Sequence, residues 1–473
     1  MLEKKQDHVI CPFCCYRFHP NEADFRLGGK EKLLDEKLLD YYIDILQIDS
    51  VDAKINARQC QAVSLESDKD FITFDESDIE KYGFAQRITF NHTKSRKETS
   101  EQRLCPNCHN NLPTGYGMRD TLLISILGDA RSGKSVFLTM LIAELENNSD
   151  FVSKLTFIGD KQVRDSFYET YQKPLLKEHT LISSTKRKKI PPYAFNYWYQ
   201  YKDESGAIQE NTIDIIFYDI AGEDLRDDAG IRHNGFNIKD SSGLIFLVDP
   251  TNFSRLADLF RFSDSALIEA IPEENSNQAI FNTLYNYFIG FNREKSQIPF
   301  ALAVSKADLF RYVNFDFFNN KPENRIQHLF SDEIHRGAVN MPSIKGINEE
   351  VRELISYLSE DGILNNAIGC FKNVNCFALS SLGKKPSVEK ISDPITNETV
   401  EKGFIDGQLE PFRVKDPFYW ILMRNGLMLK HENNRYALHG DNTPEAEDIE
   451  KLSMTQRIIN FFTKLLGKHL SRQ

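Results

Sequence analysis

Gly128, Gly133, Lys134 and Ser135 spell G-x-x-x-x-G-K-S within LGDARSGKS, residues 127–135, directly after an apolar stretch at 121–127. A helical pattern follows at 136–146. This spacing makes a phosphate-binding loop: glycine permits the tight turn, successive backbone N–H groups converge on an anion, and the helix N-terminus adds partial positive charge. Gly128, Asp129, Ala130, Arg131, Ser132, Gly133, Lys134, Ser135 and Val136 would line the phosphates. Lys134 would reach the β- and γ-phosphates, and Ser135 would hold Mg²⁺.

The elements that must position this loop are legible as strands, each ending in a polar motif. Residues 212–219 read as a buried strand ending at Asp219, which opens D-x-x-G with Gly222, followed by Glu223. At the carboxyl end of a strand beside the loop, Asp219 would bind Mg²⁺ and the Gly222 N–H would sense the γ-phosphate. The runs 243–249 and 299–308 are continuously apolar before their polar ends, as parallel strands covered on both faces are. The second closes on Ser305, Lys306 and Asp308, the pattern S-K-x-D. An aspartate there accepts from both N1–H and the exocyclic amine of guanine, whereas adenine offers no matching donor pair. At about 1.5–3 kcal/mol per charged hydrogen bond, the preference exceeds roughly a hundredfold. The strand 375–379 ends at Ser380, Ser381 and Leu382, a small turn able to present N–H groups to the base oxygen.

A second chemistry lies at the N-terminus. Cys11 and Cys14, with Cys105 and Cys108, form two C-P-x-C knuckles that together suit one tetrahedral zinc. Iron in the same site, a redox C-x-x-C and two unrelated turns are the alternatives. Roughly ninety residues separate the knuckles, against 15–20 in a compact ribbon, so a subdomain at about 25–103 is expected to be inserted. Within it the pattern predicts a helix at 32–48 and strands at 70–74 and 84–90. His19 and His109 lie near the knuckles, but four thiolates already complete the shell; Cys15 reads as a bystander.

Composition bounds the rest. A chain of 473 residues with 41% hydrophobic content can bury a core for two or three domains. A net charge of −11 argues against nucleic-acid coating. With no apolar run near 18 residues and a charged start, a membrane span or secretory signal is not expected, and a cytoplasmic location is. Eight cysteines are too few for a disulfide scaffold of this length. Surplus segments at 253–297, helical in pattern, and 386–414 enlarge the nucleotide domain. Pro417 starts a final helix whose aromatic residues would pack on the sheet. After an acidic linker at 441–450, residues 451–473 carry five Lys or Arg and no acid. On a helical wheel Met454, Ile458, Ile459, Phe462, Leu465 and Leu466 share one face. Such a segment docks on its own protein, on a partner or on anionic lipid.

Taken in order, these motifs resemble the Ras-like GTPases of the translation-factor-related class over residues 120–426. The resemblance implies an α/β fold with a doubly wound, mostly parallel sheet of P-loop GTPase type, binding GTP or GDP with Mg²⁺. It carries the catalytic set onto Lys134, Ser135, Asp219, Gly222 and Glu223, and base recognition onto Ser305, Lys306, Asp308, Ser380, Ser381 and Leu382. The pairing with an N-terminal zinc ribbon is similar to bacterial GTPases of defence or conflict systems. Departures from the family pattern are Glu223 in place of the usual glutamine, which implies slow or partner-assisted hydrolysis, and Ser305 in place of asparagine. A serine hydroxyl there can still tie its loop to the phosphate loop. Thr180 and Thr185 are both candidates for the switch I threonine. Arg131, Arg226 and Arg232 are candidate phosphate contacts, and 186–189 is a basic run. The expected organisation is a ribbon with its α+β insertion at 1–117, a GTPase domain at 118–430 and the linker with its amphipathic helix at 431–473. The expected function is a GTP-hydrolysing switch that recruits or regulates protein partners. An ATP-dependent NTPase, and a zinc-ribbon protein- or nucleic-acid-binding module, are the competing readings.

Overall fold

The computed structural model describes residues 8–46, 48–129, 132–148, 152–158, 161–182, 192–202, 207–220, 238–253, 256, 276–289, 294–312, 328–330, 335, 338–358, 361–392 and 399–431. Its centre is a seven-stranded sheet of β1 (Asp120–Gly128), β2 (Ser153–Ile158), β3 (Tyr193–Lys202), β4 (Ile208–Asp219), β5 (Gly243–Val248), β6 (Phe300–Val304) and β7 (Val374–Ala378). The spatial order is β2-β3-β4-β1-β5-β6-β7. β4, β1, β5, β6 and β7 run parallel to one another, and β2 and β3 add an antiparallel edge. Every residue of β5 and of β6 is buried, which accounts for their unbroken apolar sequences. β1 sits between β4 and β5, where the connections diverge, so its carboxyl end opens into the crevice typical of a nucleotide site.

α1 (Lys134–Glu146) leaves this crevice and buries 137–143 and Leu145 almost all round, as a helix held between layers must. α2 (Ser276–Ile289) brings Phe281 within 4.4 Å of the Phe246 ring, and the Phe371 ring stacks 4.4 Å from Phe300. α3 (Met341–Tyr357) and α4 (Asp361–Cys370) precede β7. α5 (Asp416–Arg424) crosses the sheet, with Phe418 against Tyr197 and Phe217 and Trp420 against Phe377. Pro417 lies in its first turn, where a missing N–H costs nothing.

At the N-terminus the short hairpin Val9–Ile10/Arg17–Phe18 and a three-stranded sheet of Asp24–Arg26, Ala62–Val63 and Arg103–Leu104 surround the cysteine knuckles. A second three-stranded sheet, Ile72–Phe74, Ile88–Asn91 and Lys97–Ser100, lies in the inserted segment. Two expectations change here, and two others gain detail. The helix foreseen at 32–48 begins at Glu36, because Asp35 caps it and Leu33–Leu34 pair as a strand with Arg58–Gln59; after Asp40 it loosens into a π-helical turn, Tyr41–Ile45. The strand foreseen at 84–90 is Ile88–Asn91. The surplus at 386–414 is a hairpin, Ser387–Ser392 with Thr399–Phe404, and within 253–297 the described helix is Ser276–Ile289.

The ribbon joins the sheet through a small apolar cluster of Ile10, Cys15, Leu123, Ala194 and Ile216. Leu123 alternates with Leu122 and Ile124, which belong to the main core, so the ribbon covers the opposite face of β1. No helix among the described residues is long and apolar enough to cross a membrane.

Candidate nucleotide site and metal centre

The phosphate loop is shaped by its two glycines. Gly133 caps α1 at φ +86°, and Gly128 lies at φ +146°, where a Cβ would stand 2.4 Å from the Leu247 carbonyl oxygen and 2.7 Å from Ser132 Oγ. A side chain at 128 would therefore push the loop off β5. Ser132 N–H donates to Asp129 O at 3.2 Å, closing the turn, while buried Ser132 Oγ has no protein partner. Lys134 Nζ donates to Gly128 O and Asp129 O, both at 2.8 Å. Burial pushes its pKa down, and the nearby Asp219 and Asp129 carboxylates counteract that.

Ser135 Oγ donates to Asp219 Oδ2 at 3.0 Å, joining the first turn of α1 to the end of β4. Asp219 Oδ1 is buried without a hydrogen-bond partner. Burial raises the Asp219 pKa, and Lys134 and Ser135 pull it back only in part. A hydroxyl and an unsatisfied carboxylate oxygen form the hard donor set that Mg²⁺ prefers, so the residues fit that ion. Ala130, Arg131, Gly222 and Glu223 lie outside the described residues, as do Thr185, Arg226, Arg232 and 186–189. Thr180 is described and buried; its Oγ1 donates to Pro174 O at 3.4 Å, and it pairs with Phe404 of the 387–404 hairpin.

The base-recognition residues converge from β6 and β7. Asp308 Oδ1 accepts from Ser380 Oγ at 2.5 Å, and that hydroxyl oxygen accepts from Gly383 N–H at 2.9 Å. Ala307 N–H donates to Leu379 O, fastening the two loops together. Lys306, at φ +51°, donates to buried Asp249 Oδ2 at 2.5 Å. Among the described residues the Ser305 hydroxyl donates to Val248 O at 3.1 Å, at the end of β5, rather than to the phosphate loop. The Ser380 N–H is likewise committed, to Phe412 O at 3.1 Å, whereas Ser381 and Leu382 are only half-buried in the turn that follows.

Two residues escaped the sequence reading. Asp249 holds Lys306, and its other oxygen caps Thr251; a carboxylate closing an apolar parallel strand was its signal. Gly383, at φ +77°, lies where a Cβ would stand 1.9 Å from Glu410 O; its signal was a glycine closing the polar turn after β7.

Cys11, Cys14, Cys105 and Cys108 are all buried, and their sulfurs lie within 4.8 Å of one another. The Cys11–Cys108 and Cys14–Cys105 separations are both 3.7 Å. Four sulfurs about 2.3 Å from one tetrahedral Zn²⁺ lie roughly 3.8 Å apart, so the cluster fits zinc. The knuckles repeat one local geometry: Cys15 N–H donates to Cys11 O and His109 N–H to Cys105 O, with Cys15 and His109 both left-handed at φ +57° and +52°. Backbone N–H groups of Phe13 and Asn107 point at Cys11 and Cys105 Sγ. Burial pushes the Cys11 and Cys105 thiols up, while hydrogen bonds from its neighbours pull Cys14 down. His109 is not aimed at the sulfurs: its ring bonds Asp35 and Asp24 at 2.8 and 2.9 Å.

Residues 122–355 match the family model of Double-GTPase 2. The putative ESX-1 scaffolding and assembly protein SaeC of Mycolicibacterium smegmatis is 20% identical over 341 residues, covering 69% of this chain and 80% of its own. Among solved structures, the Saccharomyces cerevisiae Ski7 GTPase-like domain bound to GTP aligns at 13% identity and TM-score 0.28, over 66% of this chain and 51% of that one. Sup35 complexed with GMPPNP aligns at 10% identity and TM-score 0.22, over 56% of this chain and 39% of that one. This chain thus spans about half or less of those two solved chains. The phosphate loop at the switch point of the sheet and the match over residues 122–355 together mark this part of the chain as a P-loop GTPase domain similar to Double-GTPase 2.

Proposed function

We propose that the chain binds GTP with Mg²⁺ at the crevice above β1, hydrolyses it, and uses the difference between the two nucleotide states to engage protein partners. The observation that carries this reading is the convergence of Lys134, Ser135 and Asp219, with one buried Asp219 oxygen unsatisfied. In this reading Lys134 and the backbone N–H groups of 128–136 hold the phosphates. Ser135 and Asp219 hold Mg²⁺, which when bound neutralises charge on the phosphate oxygens. Asp308, oriented by Ser380, selects guanine, and Lys306, held by Asp249, stands beside it. Glu223 orients the attacking water; its charge opposes the phosphate, so turnover is slow until a partner assists. The Cys₄ cluster holds Zn²⁺ as structural support. A cytoplasmic setting accords with the reduced thiols such a cluster needs. The printed role of SaeC as a putative scaffolding and assembly protein supports protein partners, and a bacterial defence setting follows from the resemblance of the ribbon–GTPase pairing to GTPases of such systems.

The test is titration of the purified chain with GTP and ATP, with and without Mg²⁺, followed by turnover. GTP is expected to bind at least tenfold tighter than ATP, and Mg²⁺ to tighten it. Tighter ATP binding removes the role given to Asp308, and Mg²⁺-independent binding removes that given to Asp219.

A further inference from the structure

The inserted segment of the N-terminal region carries a groove that the nucleotide chemistry leaves unused. It is a cavity of about 570 Å³ lined by Asn21, Leu65, Phe74, Glu76, Ile79 and Glu80, between the strand Ile72–Phe74 and the helix Glu76–Tyr82. Its lining is mainly apolar, and Phe74 is left 45% exposed, as Phe71 is at 52%. Two rings this open within four residues leave apolar surface at the groove that an apolar helix face could cover. The rim is acidic: residues 64–81 hold seven carboxylates against two lysines. Asp68, Asp75 and Asp78 are used locally, accepting from the N–H groups of Ser64, Ser77 and Gln86. Glu66, Asp70, Glu76 and Glu80 face solvent.

We propose that this groove receives residues 451–473 of the same chain, an amphipathic segment of opposite charge. That segment lies outside the described residues, and its sequence complements the groove in apolar periodicity and in charge. Its apolar face, Met454, Ile458, Phe462 and Leu465 with Ile459 and Leu466, repeats at the spacing by which a helix fills a hydrophobic groove. Its five Lys or Arg, with no acid, match the carboxylate rim. Reach is sufficient. The 19 residues 432–450 span up to about 65 Å when extended, against a radius of gyration of about 23 Å for a folded chain of this length. The acidic linker 441–450 is repelled by the same rim, so the basic segment and not its tether is drawn in.

The test uses the full chain with the photo-crosslinking residue benzoylphenylalanine at position 462, and maps the products by mass spectrometry. Crosslinks are expected within 65–80 of the same chain. The double substitution Glu76→Lys, Glu80→Lys is expected to lower their yield about tenfold, and 0.5 M salt to weaken them similarly. GDP binding and zinc content should be unchanged in that variant, which separates lost docking from lost folding. Mixing isotopically heavy and light chains distinguishes the copies: heavy–light products show docking between chains and overturn the proposal. So do crosslinks that map elsewhere, no crosslinks at all, a yield indifferent to charge reversal, or protection of 451–473 only on phosphatidylserine vesicles.

Discussion

Asp219 is 8% exposed, with Oδ2 held by Ser135 and Oδ1 unpartnered. Because burial raises its pKa in the folded chain, the folded state takes up the proton more readily than the unfolded one. Its contribution to folding is therefore favourable while protonated and is lost as pH rises from the ordinary carboxylate range, about 4. At neutral pH the bare carboxylate opposes folding, and Mg²⁺ would relieve it. Asp219→Asn should accordingly raise the melting temperature in Mg²⁺-free buffer and abolish the Mg²⁺ dependence of GTP affinity; a scanning-calorimetry result in the opposite direction removes this account. Lys134→Ala should weaken GTP by about 10- to 100-fold, the effect of losing one charge-assisted hydrogen bond of about 1.5–3 kcal/mol, read by titration. Asp308→Asn should move preference from guanine to xanthine nucleotides by at least about tenfold, measured by competition. These residues were legible because the phosphate loop packs its chemistry into eight consecutive positions, 128–135, whose spacing is itself the signal. Asp249 was not legible as a partner of Lys306, because 57 residues separate them and only the β5–β6 register brings them together.

At the scale of elements, the start of α5 is tied to residues 328, 335 and 343, around the start of α3, by a buried ionic knot. Arg413, at φ +54° and fully buried, donates to Asp416 Oδ2 at 2.5 Å and to His328 O at 2.6 Å, while His335 Nε2 lies 3.1 Å from Asp416 Oδ1. Burial alone would push the Asp416 pKa up, yet Arg413 and His335 together hold it below its ordinary value. The stabilisation is therefore present above about pH 4 and lost as pH falls through the lowered folded value. Asp416→Asn leaves the guanidinium buried without its counter-charge and should cost about 3–5 kcal/mol. Chemical denaturation at pH 7 checks this, and the deficit should shrink on acidification. The parallel core was readable from its apolar runs, and α5 from Pro417 and the aromatic residues behind it. The knot was not, since a lone Arg, His and Asp carry no periodic signal. The helix misplaced at 32–48 shows a related limit: Leu33 and Leu34 fit an amphipathic helical pattern, but cross-strand pairing with Arg58 and Gln59 takes them before Asp35 caps the helix.

For the whole molecule, the decisive contact is where the ribbon lies. The hairpin that carries Cys11, Cys14 and Cys15 rests on Leu123, Ala194 and Ile216, residues of β1, β3 and β4. Five residues after Leu123, β1 becomes the phosphate loop; three after Ile216, β4 ends at Asp219. Tyr116, fully buried, donates to Ile10 O and fixes the far knuckle's chain to the same hairpin. Beneath it Asp214 is buried on β4, bonded by Asn196 and Arg119 but with Oδ2 unsatisfied. Burial raises its pKa, so water admitted to this interface would favour its charged form and hold the two layers apart. A zinc ion held by the four cysteines would thus support the sheet as well as the ribbon, because four buried thiols without a cation give the hairpin no common anchor. Stripping zinc from the intact chain with a strong chelator should then raise amide hydrogen exchange in 121–127 and 212–219 by about tenfold or more and speed GDP release, with zinc readdition restoring both. If exchange rises only within residues 8–117 while β1, β4 and GDP release stay unchanged, the ribbon is an appendage and the sheet holds the nucleotide site without it.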